Sequence, residues 1–264
     1  VDHKDAYLDT DAQERERGIT IFSKQAVFTY DGMEITLLDT PGHVDFSAEM
    51  ERTLQVLDYA ILVINGMDGV QSHTDTLWKL LKRYEIPTFI FVNKMDMEGT
   101  DKDAVFQNIR KKLDGDCVDF SSGDRDEQIA MADERLLDTY LDSGMVEVED
   151  IIEAILDRKI FPCFWGSALK LSGVQELLDA MNTYMVMPAY NAEFGGRIFK
   201  ISRDAKGERL TYMKVTGGCL KCREQIEGTE GKVNQIRIYS GARYETVEEA
   251  PAGTVCAVTG LGET

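Results

Sequence analysis

Hydrophobic residues along the chain follow two different periods, and the change from one to the other divides it into two regions. Between residues 46 and 184, short apolar runs alternate with segments whose apolar residues recur every three or four positions. The runs at 60–64, 88–92 and 160–164 predict buried strands, and the periodic segments predict amphipathic helices. This alternation predicts an α/β fold, with a mostly parallel sheet that helices cover on both faces.

A hairpin is predicted before this region and a second domain after it. Apolar residues flank Asp31-Gly32, a pair that suits the tight turn of a β-hairpin. Beyond Pro188 the pattern changes to short alternating stretches separated by glycines, which predict a small antiparallel β-barrel. We therefore expect an α/β domain at 1–190 and a β-barrel domain at 191–264.

Composition and charge restrict the class of function. Of the 264 residues, 43% are hydrophobic and 5 are proline, which allows a sizeable core and excludes a disordered chain. The 29 Lys and Arg against 47 Asp and Glu give a formal net charge of −18, which disfavours general binding of DNA or of an anionic membrane. The predicted helical insertion at 97–165 holds 18 acidic and 8 basic residues, whereas 192–264 is nearly neutral.

Apolar runs and cysteines in the sequence bear on where the protein resides. No apolar run is long enough to span a bilayer, and no charged and then apolar leader opens the sequence. Five cysteines without regular spacing do not form a disulfide framework. We expect a cytoplasmic, monomeric protein that binds neither membranes nor DNA.

The motif Asn93-Lys94-Met95-Asp96 follows the predicted strand at 88–92. A carboxylate at this position can accept hydrogen bonds from N1 and the 2-amino group of guanine, and adenine offers neither donor. Asn93 would contact the base edge and connect neighbouring loops, while the aliphatic stem of Lys94 would cover the ring. Taken alone, the motif is also compatible with a polar turn after a strand.

The motif Ser167-Ala168-Leu169 follows the third predicted strand, at 160–164. The amide of Ala168 could donate to O6 of the same guanine. Because the carboxyl ends of parallel strands share one edge of a sheet, we expect this loop to lie beside the preceding motif.

A third motif, Asp39-Thr40-Pro41-Gly42, ends the predicted hairpin. An aspartate at a strand end can hold Mg²⁺, and a glycine amide can donate to a terminal phosphate. The hydroxyl of Thr20 could complete the Mg²⁺ shell, because Mg²⁺ prefers oxygen ligands. The alternatives are an ordinary turn at Asp39 and a strand that opens at Thr20.

In chain order, these motifs resemble those of a known family. The stretches RERGITI, DTPGHVDF and NKMD resemble the GTP-binding domain of translational GTPases. RIFKI, GERLTYMKVTGG and PAGTVCAVTGL resemble the second domain of elongation factor G and its relatives. The resemblance implies a P-loop-type GTPase domain with GTP or GDP and Mg²⁺, a β-barrel, and a ribosomal partner. His43 would position or polarise the attacking water.

Within this group, three features are most similar to tetracycline resistance proteins of the ribosomal-protection type. They are the short insertion, the junction WGSA at 165–168 and the phrase GVQ at 69–71. An elongation factor G that drives translocation and a peptide-chain release factor of the same group remain alternatives.

One motif of the family does not occur in the sequence. A Gly-x-x-x-x-Gly-Lys segment followed by Ser or Thr, which would hold the phosphates, is not found among the 264 residues. Because the chain begins at Val1 and ends where the family's barrel continues, we expect a fragment that is inactive alone, cut from an active GTPase. The alternative from another class is a binding module that does not bind nucleotide.

Overall fold

The structure is a computed structural model, and it describes Leu8 and residues 23–41 and 47–262. The strands are β1 Lys24–Tyr30, β2 Met33–Asp39, β3 Ala60–Asn65, β4 Thr88–Asn93, β5 Cys117–Asp119, β6 Phe161–Trp165, β7 Gly195–Arg203, β8 Arg209–Gly217, β9 Cys219–Lys221, β10 Gly231–Ser240, β11 Arg243–Val247, β12 Glu249–Pro251 and β13 Val255–Leu261. The helices are α1 Ser47–Leu54, α2 Ser72–Arg83, α3 Lys102–Lys112, α4 Arg125–Ala130, α5 Glu134–Ser143, α6 Val148–Leu156 and α7 Val174–Tyr184. Among the described residues, no helix is both long and apolar enough to cross a membrane.

Four parallel strands form the sheet of the α/β region, in the order β3-β4-β6-β5. The five apolar and β-branched residues at 88–92 of β4 are all buried, as expected for an inner strand with neighbours on both sides. The predicted parallel sheet with helices is confirmed. The three-residue strand β5 was not predicted, because so short a run has no readable period.

The antiparallel strand domain that was predicted for the second region is also confirmed. Five strands pair in the order β11-β10-β13-β8-β7, and β12 pairs with β9 in a separate two-stranded sheet. Alternate residues of these strands face a common core, as period-two patterning requires. Its fully buried members include Val215, Leu220, Val233, Ile236 and Val258.

The described chain packs as two compact units, which are not consecutive in sequence. Leu57–Met187 forms one unit, and Val1–Val56 joins Pro188–Thr264 in the other. In the unit formed by Val1–Val56 and Pro188–Thr264, β1 and β2 form their own two-stranded sheet. The Gly241 amide donates to the carbonyl of Gln25 (2.8 Å), and the Gln25 side chain donates to the carbonyl of Val255 (3.0 Å). The domain boundary expected at residue 190 remains a prediction.

Candidate nucleotide-binding site

The carboxyl ends of three parallel strands meet at one edge of the sheet. Asn65 of β3 lies opposite Asn93 of β4, and Val92 of β4 lies opposite Trp165, the last residue of β6. The loops that follow β4 and β6 therefore leave the sheet side by side. In open parallel sheets, this is the edge at which ligands bind.

The side chain of Asn93 connects these two loops. Its Oδ1 accepts hydrogen bonds from the backbone amides of Lys94 and Ala168, each at 2.8 Å. The backbone adds a second link, since the Met95 amide donates to the carbonyl of Gly166 (3.0 Å). One amide side chain thus fixes the start of both loops. The Ala168 N–H is engaged by Asn93, so a base oxygen would have to share or replace that bond.

Asp96 lies in the same group and is held by the neighbouring loop. Its Oδ2 is 3.1 Å from Nζ of Lys170. Hydrogen bonds from the side chains of Ser167 and Lys170 lower the pKa of Asp96 below its ordinary value. The carboxylate is therefore ionised at neutral pH, in the form that can accept two hydrogen bonds.

The loop after β6 is closed on itself. Ser167 and Ser172 exchange backbone hydrogen bonds of 3.0 and 3.2 Å. A Cβ on Gly166 would lie 2.0 Å from the carbonyl oxygen of Ser172, and one on Gly173 would lie 2.0 Å from that of Trp165. Only glycine allows the two ends of the loop to approach this closely. The loop therefore presents its amides from a fixed backbone.

The residues of the two predicted base motifs lie on the two loops that leave this edge of the sheet. They are Asn93, Lys94, Met95, Asp96, Ser167, Ala168 and Leu169. Ser167 is buried, whereas Lys94, Ala168 and Leu169 are exposed at the rim. Lys94 adopts a positive φ of 64°, which turns the chain sharply after the strand.

The residues assigned to the phosphates and to Mg²⁺ are described only in part. Asp39 is the last residue of β2, opposite Lys24, and Thr40 and the buried Pro41 follow it. Thr20, Gly42 and His43 lie outside the described residues. Asp39 belongs to the unit formed by Val1–Val56 and Pro188–Thr264, whereas the base group belongs to the other unit.

An Mg²⁺ site fits the donor set that is described. Within residues 23–41 and 47–262, no three His, Cys, Asp or Glu side chains gather as a metal site. Mg²⁺ commonly needs only one or two protein oxygens, because water and substrate phosphates supply its other ligands. A single carboxylate at the end of β2 is compatible with that kind of coordination.

Sequence reasoning missed several residues that shape the base group. Lys170 was not assigned, although it follows the Ser167-Ala168-Leu169 motif directly and carries the charge opposite to that of Asp96. Gly66 was also missed: a Cβ there would lie 2.6 Å from the sulfur of Met95. A glycine immediately after an apolar strand was the available signal in that case.

A parallel sheet whose strand ends gather an asparagine, an aspartate and backbone amides has the edge at which α/β proteins of this architecture bind their ligands. Comparison with known families identifies the class more closely. Residues 1–187 match the family profile of the elongation factor Tu GTP-binding domain, and residues 193–264 match that of elongation factor G domain 2. The chain therefore belongs to the translational GTPases of the elongation factor G group.

Individual relatives agree with this assignment. The tetracycline resistance protein TetP of Clostridium perfringens is 34% identical over 292 residues, covering 99% of this chain and 45% of TetP. Elongation factor G of Mycoplasma genitalium is 30% identical over 336 residues, covering 98% and 49%. TetO of Streptococcus pneumoniae is 32% identical over 278 residues, covering 97% and 44%. The chain thus spans about half the length of the curated relatives it matches.

A solved crystal structure shares the fold. A protein of Thermus thermophilus superposes with a TM-score of 0.83 over 97% of this chain and 46% of its own, at 22% identity. At this identity the similarity supports the arrangement of strands and helices alone.

Proposed function

We propose that the protein carrying this chain binds GTP and GDP, with the guanine base held by the loops after β4 and β6. The observation that carries the proposal is the bridge from Asn93 Oδ1 to the Ala168 amide at 2.8 Å, beside the ionised Asp96. In this arrangement the carboxylate of Asp96 accepts from N1 and the 2-amino group. Adenine would leave that charge unpaired, which disfavours its binding.

Hydrolysis is assigned to the residues around Asp39. Asp39 and Thr20 would hold Mg²⁺, the Gly42 amide would donate to the γ-phosphate, and His43 would position the attacking water. Mg²⁺ itself would neutralise charge on the phosphates. We further propose that residues 1–264 alone do not hydrolyse GTP, because no phosphate-binding glycine and lysine motif occurs among them.

For the whole protein we propose a cytoplasmic, ribosome-associated role in tetracycline resistance. The lengths of the alignments support this choice over elongation. TetP and elongation factor G each match nearly all of this chain, yet the alignments span 292 and 336 positions. Elongation factor G therefore has more residues with no counterpart here. Translocation and peptide release are the alternatives, and raised tetracycline tolerance of cells that express the protein would separate resistance from both.

Replacement of Asp96 tests the base assignment. We expect Asp96→Asn, in the protein encoded by the complete reading frame, to weaken GDP binding and strengthen xanthosine diphosphate binding, each by at least about tenfold. The reason is that an amide can donate to the extra oxygen of xanthine, whereas a carboxylate cannot. The measurement is a titration of both nucleotides by fluorescence or calorimetry.

A matched control separates base recognition from stability. Asp133→Asn removes a carboxylate that also forms a lysine ion pair, at 2.8 Å from Lys159, away from the base group. It should leave the preference for guanine unchanged. An unchanged preference in Asp96→Asn would refute the role of Asp96, and a wild-type protein that binds no nucleotide would favour the binding module.

A further inference from the structure

A buried carboxylate of the insertion contacts the end of β6, directly before the loop of the base group. Asp119, at the end of β5, is 6% exposed. Its Oδ2 is 2.6 Å from Nζ of Lys102 on α3, and its Oδ1 accepts from Nε1 of Trp165 at 2.9 Å. The hydroxyl and amide of Ser121 also donate to Oδ1, at 2.7 and 3.0 Å. The carboxylate therefore collects four donors from three different segments.

Trp165 is held on more than one side by this cluster. Nζ of Lys102 lies 5.2 Å from the centre of the indole ring, and Phe106 of α3 meets the same ring edge-on at 5.9 Å. The indole is thus fixed by a charge-assisted network and by aromatic packing. Its rotation about the side-chain bonds is restricted, and so is the end of β6 that carries it.

The next residues along the chain belong to the base group. The Gly166 carbonyl accepts the hydrogen bond from the Met95 amide, and the Ala168 amide donates to Asn93. A Cβ on Gly173 would touch the Trp165 carbonyl, so the far end of the loop also rests on Trp165. Any shift of Trp165 would therefore move both ends of the loop.

We propose that Asp119 is a positioning residue for the base site: through Trp165 it sets the placement of the 166–172 loop and thereby the affinity for guanine nucleotide. This inference rests on the proposed function for its nucleotide part only. It gives the insertion a role in positioning the base loop, because Lys102, Phe106 and Asp119 all come from the 97–165 segment.

Hydrogen exchange tests the positioning without nucleotide. In Asp119→Asn, we expect the amides of Ser167, Ala168 and Met95 to exchange about tenfold faster than in the wild type, because the loop opens locally more often. The Phe91 amide of β4 exchanges through global unfolding, so it should accelerate only as far as the loss of overall stability that urea denaturation of the same variant measures, whereas the loop amides exchange through local opening. Trp165→Phe, which removes the indole donor and retains an aromatic ring, should give the same local effect with less risk to folding. Asp133→Asn is the matched control and should exchange like the wild type.

Nucleotide titration of the same variants, in the protein encoded by the complete reading frame, gives the second readout. Asp119→Asn and Trp165→Phe should weaken GDP binding about five- to tenfold, and Asp133→Asn should not. Faster loop exchange together with no GDP binding by the wild type would support the positioning and refute the proposed function. Loop exchange equal in Asp119→Asn and Asp133→Asn would overturn the positioning, even if GDP binds tightly.

Discussion

At the scale of single residues, Asp119 links stability to pH. Burial raises the pKa of its carboxyl, but the hydrogen bonds from Lys102, Ser121 and Trp165 outweigh that effect and hold the pKa below its ordinary value of 3.8. A lowered pKa in the folded state stabilises the fold above the unfolded value, and this stabilisation is lost as the pH falls through the folded value.

Asp119→Asn should therefore destabilise the chain by about 1–3 kcal/mol at neutral pH, since hydrogen bonds to a charged group are lost. The difference from the wild type should narrow as the pH falls below 3.8, the ordinary pKa. Urea denaturation of both proteins, from neutral pH to below 3.8, measures this difference in the free energy of unfolding. A difference that is constant down to strong acid would show that packing, and not charge, is what the substitution removes.

The individual residues also show what sequence could predict of the site. Asn93 and Asp96 were predicted as base-site residues because their side chains have chemistry that suits guanine and because they follow an apolar run. Lys170 and Asp119 were not found, because their roles depend on partners that lie 74 and 46 positions away, at Asp96 and Trp165. A local pattern contains no information about which distant charge a side chain will meet.

At the scale of elements, the turn that joins β6 to α7 depends on Gly173. Gly173 and Gly144 both adopt a positive φ, of 74° and 77°, next to a helix end. A Cβ on Gly144 would meet nothing within 4 Å, whereas one on Gly173 would lie 2.0 Å from the Trp165 carbonyl oxygen. A substitution at Gly144 therefore introduces backbone strain alone, whereas one at Gly173 introduces backbone strain and steric overlap.

Gly144→Ala should cost about 1 kcal/mol, the strain of a left-handed alanine. Gly173→Ala carries the same strain and must also displace backbone, so it should cost roughly 3 kcal/mol or more. Chemical denaturation of the two variants provides the comparison. Equal losses in the two variants would mean that the 166–173 turn relaxes freely and does not fix the base loop.

Element by element, period and turn chemistry predicted most of the secondary structure. Strands β3, β4 and β6 and the Asp31-Gly32 hairpin were expected from apolar runs and a turn pair. The spacing of Ile129 and Leu136 suits one face of a single helix, but the structure places the two residues on separate helices, α4 and α5. The packing of the β1–β2 hairpin with the antiparallel strands could not be predicted, since it depends on contacts between residues far apart in sequence, such as Gln25 with Val255.

At the scale of the whole molecule, the unit made from Val1–Val56 and Pro188–Thr264 should fold after Leu57–Met187. Its two segments are separated in sequence by the whole of Leu57–Met187. Closing so long a loop costs entropy before the contacts between the two segments form. In pulse-labelling hydrogen exchange, the Gly241 amide, which bonds to Gln25, should be protected later than the Ile90 amide in β4. Simultaneous protection would indicate that the two units fold as one cooperative structure.

In the proposed function, nucleotide binding and hydrolysis depend on different residues, and His43 is assigned to hydrolysis alone. In the proposed mechanism the imidazole acts on the attacking water and does not hold the nucleotide, so it contributes to the transition state alone. His43→Ala in the protein encoded by the complete reading frame should slow ribosome-stimulated GTP hydrolysis about 10²–10⁴-fold, the usual contribution of a positioned acid or base. Its affinity for GTP should stay within about twofold of the wild type, because removing a group that acts only in the transition state lowers the rate without weakening binding. Rapid-mixing hydrolysis assays with ribosomes and equilibrium titration measure the two quantities, and equal losses in both would assign His43 to binding.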